Sequence, residues 1–412
     1  MNIQSKPALA MGEFVPLMAF MISIVALSID AMLPALPAIG QDLGVANEND
    51  RQLVISALFI GLGVGQIIYG PLSDSIGRKP AIYGGYVIFI IGCVMSIFAT
   101  DYDIMLAGRV LQGLGAAGPR IVCVALVRDC YEGREMASIM SFVMGIFILV
   151  PAVAPALGQG IIMVWDWRGI FVAFLVLAML TWTWFAVRQP ETLPVDHRTP
   201  FSLSGIWADI KETLGNRIAL GYTLVAGMVF GALVGYLTSA QQMFAVTYGI
   251  VDLFPAYFAV LALAVGVTSV INGRMVIKFG MRLLSHHALV ILTTISIAFF
   301  VYVLMVGGIP ALWLNMTYFF TAFMCFGVLF GNTNALAMEP MGHIAGTGAA
   351  VIGSLTTLVS VPLGTIVGQM FDGTVLPLVG SFGLFSAIAL GLMHWAEKGR
   401  RSEILATGTS ET

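Results

Sequence analysis

Two charges of opposite sign stand inside runs of apolar residues, Asp30 in SIVALSIDAML and Arg109 in GRVLQGLGAAGPR. Ionisable groups are costly in such surroundings, so each is a candidate for function. A carboxyl group there binds or releases a proton according to whether a cation stands beside it. Asp30 is therefore the expected proton-binding group and Arg109 its electrostatic partner, and a cargo or conformational change that broke the pair would move a proton. The same pair, permanently ionised, would only pin two helices together. Arg120 lies within about 20° of the Arg109 helix face, with Gln112 one turn after Arg109. Arg120 could attract an anionic cargo or hold a gate shut, or snorkel to the interface as a helix-end cation.

Such groups need a non-aqueous frame, and the composition provides one. Of 412 residues, 58% are hydrophobic and 10% charged, against roughly 45–50% and 25% in soluble domains. A bilayer solvates that much apolar surface; a water-soluble core cannot hide it. Stretches of roughly 20–27 residues, each enough to cross a ~30 Å hydrocarbon core, fall at 14–38, 52–72, 80–99, 103–127, 137–162 and 167–187. Six more fall at 217–240, 253–274, 284–306, 310–334, 345–371 and 375–396. The expected fold is an all-α membrane protein of twelve transmembrane helices in two six-helix halves. Residues 1–190 form the first half, 191–216 a cytoplasmic linker, and 217–412 the second half with a short tail. The run at 14–38 exceeds the roughly 7–15-residue core of a secretory signal and is read as a retained helix. Asp30 then lies roughly 12 Å and Arg109 roughly 9 Å from the outer ends of their antiparallel spans, at 1.5 Å per residue.

Orientation follows from the cations, because cytoplasmic loops carry the excess of lysine and arginine. With the amino terminus inside, fifteen of the nineteen fall on cytoplasmic segments, Arg51 and Arg168 fall outside, and Arg109 and Arg120 lie within a span. Both termini are expected in the cytoplasm of a cell whose inner membrane the chain crosses. In the linker, Leu203, Ile206, Trp207, Ile210 and Leu214 recur at helical spacing opposite Asp209, Lys211 and Glu212, which predicts an amphipathic helix on the membrane surface. An internal repeat sets GPLSDSIGRK at 70–79 against GRMVIKFGMR at 273–282, aligning Gly77 with Gly280 and Lys79 with Arg282.

The stretch GPLSDSIGRKP, after the second span, resembles the loop signature of the major facilitator superfamily. GRVLQGLGAAGPR resembles that family's fourth-helix motif in proton-driven exporters, and VPAVAPALGQ partly resembles a fifth-helix antiporter motif. SIDAMLPALPAIGQDLG, VRDCYEG, WRGIF and EPMGHIAGTGAAVIG are similar to the bicyclomycin and chloramphenicol resistance (Bcr/CflA) branch of drug exporters. The resemblance covers about residues 14–396 and implies alternating access with efflux coupled to proton entry. It also implies a cytoplasmic gate of Gly70, Asp74, Gly77, Arg78 and Lys79, in which Asp74 pairs with a cation at the end of the fourth span, Arg128, and faces the start of the eleventh. The second copy carries Ile277 at the place of Asp74, so the lock is expected on one side only. The same two cations also fix topology.

Candidate cargo contacts are Asp30, Arg109, Gln112 and Arg120 from the first half and Tyr236, Gln241 and Gln242 from the second. Pro34, Pro37, Pro151 and Pro155 are expected to bend their helices. Glu339 and Asp372 are placed at helix ends near water, and His286, His287 and His343 at cytoplasmic helix starts. The four cysteines have no metal-ligand spacing, and HExxH, Walker A and GxSxG patterns are missing from the sequence, so neither hydrolysis nor ATP-driven pumping is expected. No cofactor or metal is expected; the partners are a small-molecule substrate, protons and the lipid bilayer, with no nucleic acid, and the chain is expected to be a monomer. Three readings remain: a drug or metabolite exporter running on proton antiport, an uptake symporter using the same Asp30 and Arg109, and a membrane-embedded enzyme or receptor, for which the chain shows no catalytic cluster.

Overall fold

The structure is a computed structural model that describes residues 9–407. Fourteen α-helices appear among the described residues. They are α1 (Met11–Asp30), α2 (Leu36–Asp42), α3 (Leu53–Ile76), α4 (Arg78–Ile97), α5 (Tyr102–Cys130), α6 (Gly133–Val164), α7 (Arg168–Arg188) and α8 (Leu203–Gly215). Then follow α9 (Arg217–Gln242), α10 (Phe254–Phe279), α11 (Met281–Met305), α12 (Leu312–Met338), α13 (Ala345–Gln369) and α14 (Leu376–Thr407). Twelve spans are long and apolar enough to cross a bilayer, as expected. Lys6 lies outside the described residues.

The first span differs from its expected bounds. It runs from Met11 to Asp42 as α1, a short 3₁₀ turn and α2, because Pro34 and Pro37 have no N–H to continue the helical ladder. Asp30 is the last residue of α1, at that break. Pro151 and Pro155 lie within the continuous α6.

By compactness the chain divides between Leu203 and Ser204, with Val251–Ala262 assigned to the first unit. In the first unit α5 is the central post. Its glycines let neighbouring backbones touch, as small residues do between membrane helices. A Cβ at Gly113 would lie 1.9 Å from the Leu58 carbonyl oxygen of α3, and one at Gly115 would lie 2.3 Å from the Phe89 nitrogen of α4. Asp101 caps the start of α5 by accepting from Ile104 N at 2.9 Å. In the second unit α9 packs against α13 and α14 in the same way, with Gly364 closing onto Val234 and Gly235. Asn216 caps α9, its Oδ1 accepting from Ile218 N and Ala219 N at 3.0 Å each. The linker helix is present as α8 and exposes Leu203, Trp207 and Leu214, with the Lys211 ammonium 5.7 Å from the Trp207 ring.

Candidate functional site

Arg109 is fully buried on α5, but its guanidinium does not meet Asp30. Nη2 donates to the Ser28 carbonyl at 2.7 Å, Nε to the Val54 carbonyl at 3.0 Å, and Nη1 to Gln112 Oε1 at 2.7 Å. The expected Asp30–Arg109 pair is thus not formed, and the helix break explains why. Carbonyls in the last turn of a helix lack N–H partners, and Ser28 lies in the last turn of α1, where Arg109 supplies the missing donor. Gln112 completes the anchor, its Nε2 donating to the Gly92 carbonyl at 3.1 Å and Ser96 Oγ at 3.0 Å. The Phe171 ring stands 5.9 Å from the guanidinium carbon. Arg109 and Gln112 therefore tie α1, α3, α4 and α5 together from within and do not line an open cavity.

Asp30 is 5% exposed, and its side chain has no hydrogen bond or ion pair among the described residues. A Cβ at Gly158 would lie 1.9 Å from the carbonyl oxygen of the next residue, Ala31, so the end of α1 is pressed onto α6. Arg120 is half-buried, and its guanidinium likewise has no hydrogen bond or ion pair among the described residues. In the second unit, Tyr236 is wholly enclosed by aromatic packing against Phe319 and Phe323, with ring centroids 5.5 and 4.9 Å away. It presents no surface to a cargo, contrary to expectation. Gln241 and Gln242 are buried at the end of α9.

The loop between α3 and α4 builds a second cluster. Gly77 joins the helices at φ 107°, a conformation that glycine adopts without strain. The turn brings Arg78 back onto Asp74, four residues earlier. Arg78 Nε also donates to Asp129 Oδ2 at 2.8 Å and Nη1 to Ser73 Oγ at 2.9 Å, and Ser73 Oγ donates to the Gly70 carbonyl at 2.9 Å. Arg128 is exposed and is not the partner of Asp74. One residue along a helix turns the side chain by about 100°, so the acid beside Arg128, Asp129, faces the cluster instead. The Lys79 ammonium reaches the Ala186 carbonyl at 3.0 Å.

A residue that the sequence reading passed over completes this cluster. Glu191, just beyond α7, accepts from the backbone N–H groups of Arg78 (Oε1, 3.0 Å) and Lys79 (Oε2, 3.0 Å). Its Oε1 also accepts from Thr192 N at 2.9 Å and Leu193 N at 3.0 Å. A carboxylate at the first N–H groups of α4 satisfies donors that no helix can satisfy for itself and complements the helix dipole. Thr192 Oγ1 donates to Asp129 Oδ2 at 3.1 Å and Thr199 N to the Asp74 carbonyl at 3.1 Å. The first part of the linker is thus strapped to the loop. The detectable signal was a single acid between two prolines, PETLP at 190–194.

The second unit repeats the arrangement with other residues. Gly280 joins α10 to α11 at φ 78°. Arg282 pairs with Glu339 at the end of α12 and with Glu397 of α14 at 3.0 Å, and Tyr222 Oη donates to Glu397 at 2.6 Å. The expectation of a one-sided lock is therefore corrected: Ile277 is 89% exposed and contributes nothing, yet a cation between two carboxylates forms without it.

A family model described as Major Facilitator Superfamily matches residues 18–365. The chain is 28% identical over 366 residues to a bicyclomycin resistance protein homolog of Haemophilus influenzae, covering 88% of this chain and 90% of that one. It is 28% identical over 388 residues to a chloramphenicol resistance protein of Pseudomonas aeruginosa, covering 90% and 87%. Among solved structures, the xylose transporter XylE of Escherichia coli in a partially occluded inward-open conformation superposes with a TM-score of 0.72 at 13% identity, over 93% of this chain and 97% of that one. At that identity the likeness speaks for the fold alone.

Proposed function

This chain belongs to the Major Facilitator Superfamily, and we propose that it exports small molecules across the inner membrane by alternating access in exchange for protons. The observation that carries the reading is Asp30, a carboxyl group buried within a membrane span with no partner of either kind among the described residues. A carboxyl group so placed is free to take a proton in one conformation and give it up in another, and intramembrane acids serve transporters in this way. Arg109 is a positioning residue in this scheme: by holding the Ser28 carbonyl it fixes the end of α1, two residues before Asp30. The clusters around Arg78 and Arg282 serve as ionic gates at the cytoplasmic ends of the helices, and both termini lie inside. Relatives named for resistance to bicyclomycin and chloramphenicol favour export.

The test uses everted membrane vesicles acidified by respiration, with the lumenal pH read from a quenched fluorescent amine. Adding chloramphenicol or bicyclomycin is expected to release lumenal protons from vesicles carrying the chain, and Asp30→Asn is expected to abolish that release. Unaltered proton release by Asp30→Asn would refute the role of Asp30. Cargo-driven proton uptake into the lumen would indicate a symporter.

A further inference from the structure

Arg109 and Arg120 share one face of α5 and stand in opposite states. Arg109 has three acceptors and no exposure. Arg120 has none among the described residues and is half-buried. We propose that Arg120 receives an anionic group of the cargo, so that small organic anions bearing a carboxylate are among the exported molecules. This deepens the transport reading and rests on it.

The guanidinium carries five N–H donors and no acceptor, and holding it at membrane depth without partners is costly. Two structural uses of such a residue do not fit. Among the described residues it pins no helix, because its side chain bonds to none. It is also poorly placed to snorkel. Arg120 is ten residues short of Cys130, the end of α5, about 15 Å along the axis. Helical side chains lean toward the helix amino terminus, which in the proposed orientation is the outer end, so Arg120 leans away from the cytoplasmic interface.

The turn before it is rigidly held. A Cβ at Gly65 would meet Ala117 Cβ at 2.6 Å, one at Gly118 would meet the Tyr69 ring at 2.9 Å, and one at Gly85 would meet Pro119 Cδ at 2.8 Å. Ala117, Gly118 and Pro119 are thus packed against α3 and α4, and the side chain that follows them is left uncommitted on a fixed backbone. A planar fork of donors held in that way matches a carboxylate in two parallel hydrogen bonds. Pre-setting the backbone lowers the ordering cost of binding.

The experiment is isothermal titration calorimetry of the full chain in phosphatidylcholine nanodiscs, with 1-naphthoate and its uncharged analogue 1-naphthamide as probes. Naphthoate is expected to bind more tightly than the amide. Arg120→Gln is expected to weaken naphthoate at least about thirtyfold, the lower range for removing one member of a buried charge pair, and to leave the amide unchanged. Arg120→Lys, which keeps the charge and loses the fork, should fall between, and it carries the test alone if the glutamine variant does not fold. Naphthoate binding no tighter than the amide, or undiminished in either variant, overturns the proposal. So does loss of naphthoate binding when phosphatidylglycerol replaces the neutral lipid, which would make Arg120 a headgroup site. Binding through Arg120 without proton release in vesicles would instead count against the transport reading.

Discussion

Replacing Glu191 by alanine removes the acceptor of four backbone N–H groups, those of Arg78, Lys79, Thr192 and Leu193. Two of these open α4, where losing a capping acceptor costs about 1 kcal/mol. The other two close the turn of the strap, and bonds to a charged acceptor contribute roughly 1.5–3 kcal/mol each when dry. Glu191 is half-buried, so water replaces much of the second contribution, and a total of about 2–3 kcal/mol is expected from these ranges. For a cooperative unit of roughly 200 residues, each kcal/mol moves the melting temperature by about 2–4 °C, giving a fall of about 4–12 °C. Glu191→Gln keeps one oxygen acceptor without the charge and should lose about half as much. The assay is size-exclusion thermal challenge of the detergent-purified chain, with wild type, both variants and Gly77→Ala in parallel. Gly77→Ala is strained by its φ of 107° and would also put a Cβ 2.6 Å from Glu191 Oε2. Combining it with Glu191→Ala should therefore cost less than the two separately. A fall below ~1 °C for Glu191→Ala, where about 4 °C is the least expected, would refute the strap as a stabilising element.

Three further outcomes follow from the packing. Arg109→Lys keeps the charge but cannot serve the Ser28 and Val54 carbonyls and Gln112 together; stability should drop by about 3 kcal/mol, in the range for a broken buried charged network, and vesicle proton release should fall with it. Gly158→Ala would place a Cβ 1.9 Å from the Ala31 carbonyl oxygen, forcing α6 off the end of α1, and should abolish proton release even where the protein is produced in normal amounts. Asn272 and Asn332 donate to each other at 2.9 and 3.2 Å between α10 and α12. Either alanine variant should lose about 1–3 kcal/mol by stranding a buried amide, while the double variant should lose less than the two together, as read by the same thermal challenge.

The spans were legible because their signal is summed over some twenty residues: apolar length and charge position survive any detail of packing. The linker helix was legible for the same reason, through its 3.6-residue period. Pairings were not. Asp30 and Arg109 have the right signs and similar depth, yet a carbonyl freed by the Pro34 break takes the guanidinium, and no count along the sequence shows which orphan acceptor lies nearest. Arg128 and Asp129 are neighbours in the chain and differ by about 100° around α5; choosing Arg128 as the partner of Asp74 was a choice of face that only tertiary packing makes. Tyr236 carries a polar tip on an aromatic body, and the choice between cargo surface and ring packing was decided by Phe319 and Phe323 from α12.

The two ionic clusters show what a repeat conserves in physical terms. Aligned residue by residue, Arg282 stands opposite Lys79 and nothing acidic stands opposite Asp74, which argued for a single lock. In space, each loop has a glycine at positive φ opening the next helix. Each has an arginine in that helix's first turn, an acid at the end of the helix that follows it, and an acid beyond or within the last span of its unit. These are Arg78, Asp129 and Glu191 in one, and Arg282, Glu339 and Glu397 in the other. The cation moved by one position, and Glu397 bonds to the arginine side chain where Glu191 bonds to the backbone. In each unit an arginine side chain sits between two carboxylates, Asp74 and Asp129 in one and Glu339 and Glu397 in the other. It follows that Arg282→Gln should loosen the second unit as the loss of Arg78 loosens the first, with Glu339 and Glu397 left facing each other uncompensated. Removing one of those acids as well, in Arg282→Gln with Glu397→Gln, should restore part of the lost thermal stability. A double variant less stable than Arg282→Gln alone would mean that the Tyr222–Glu397 bond, and not charge balance, holds that end of the unit together.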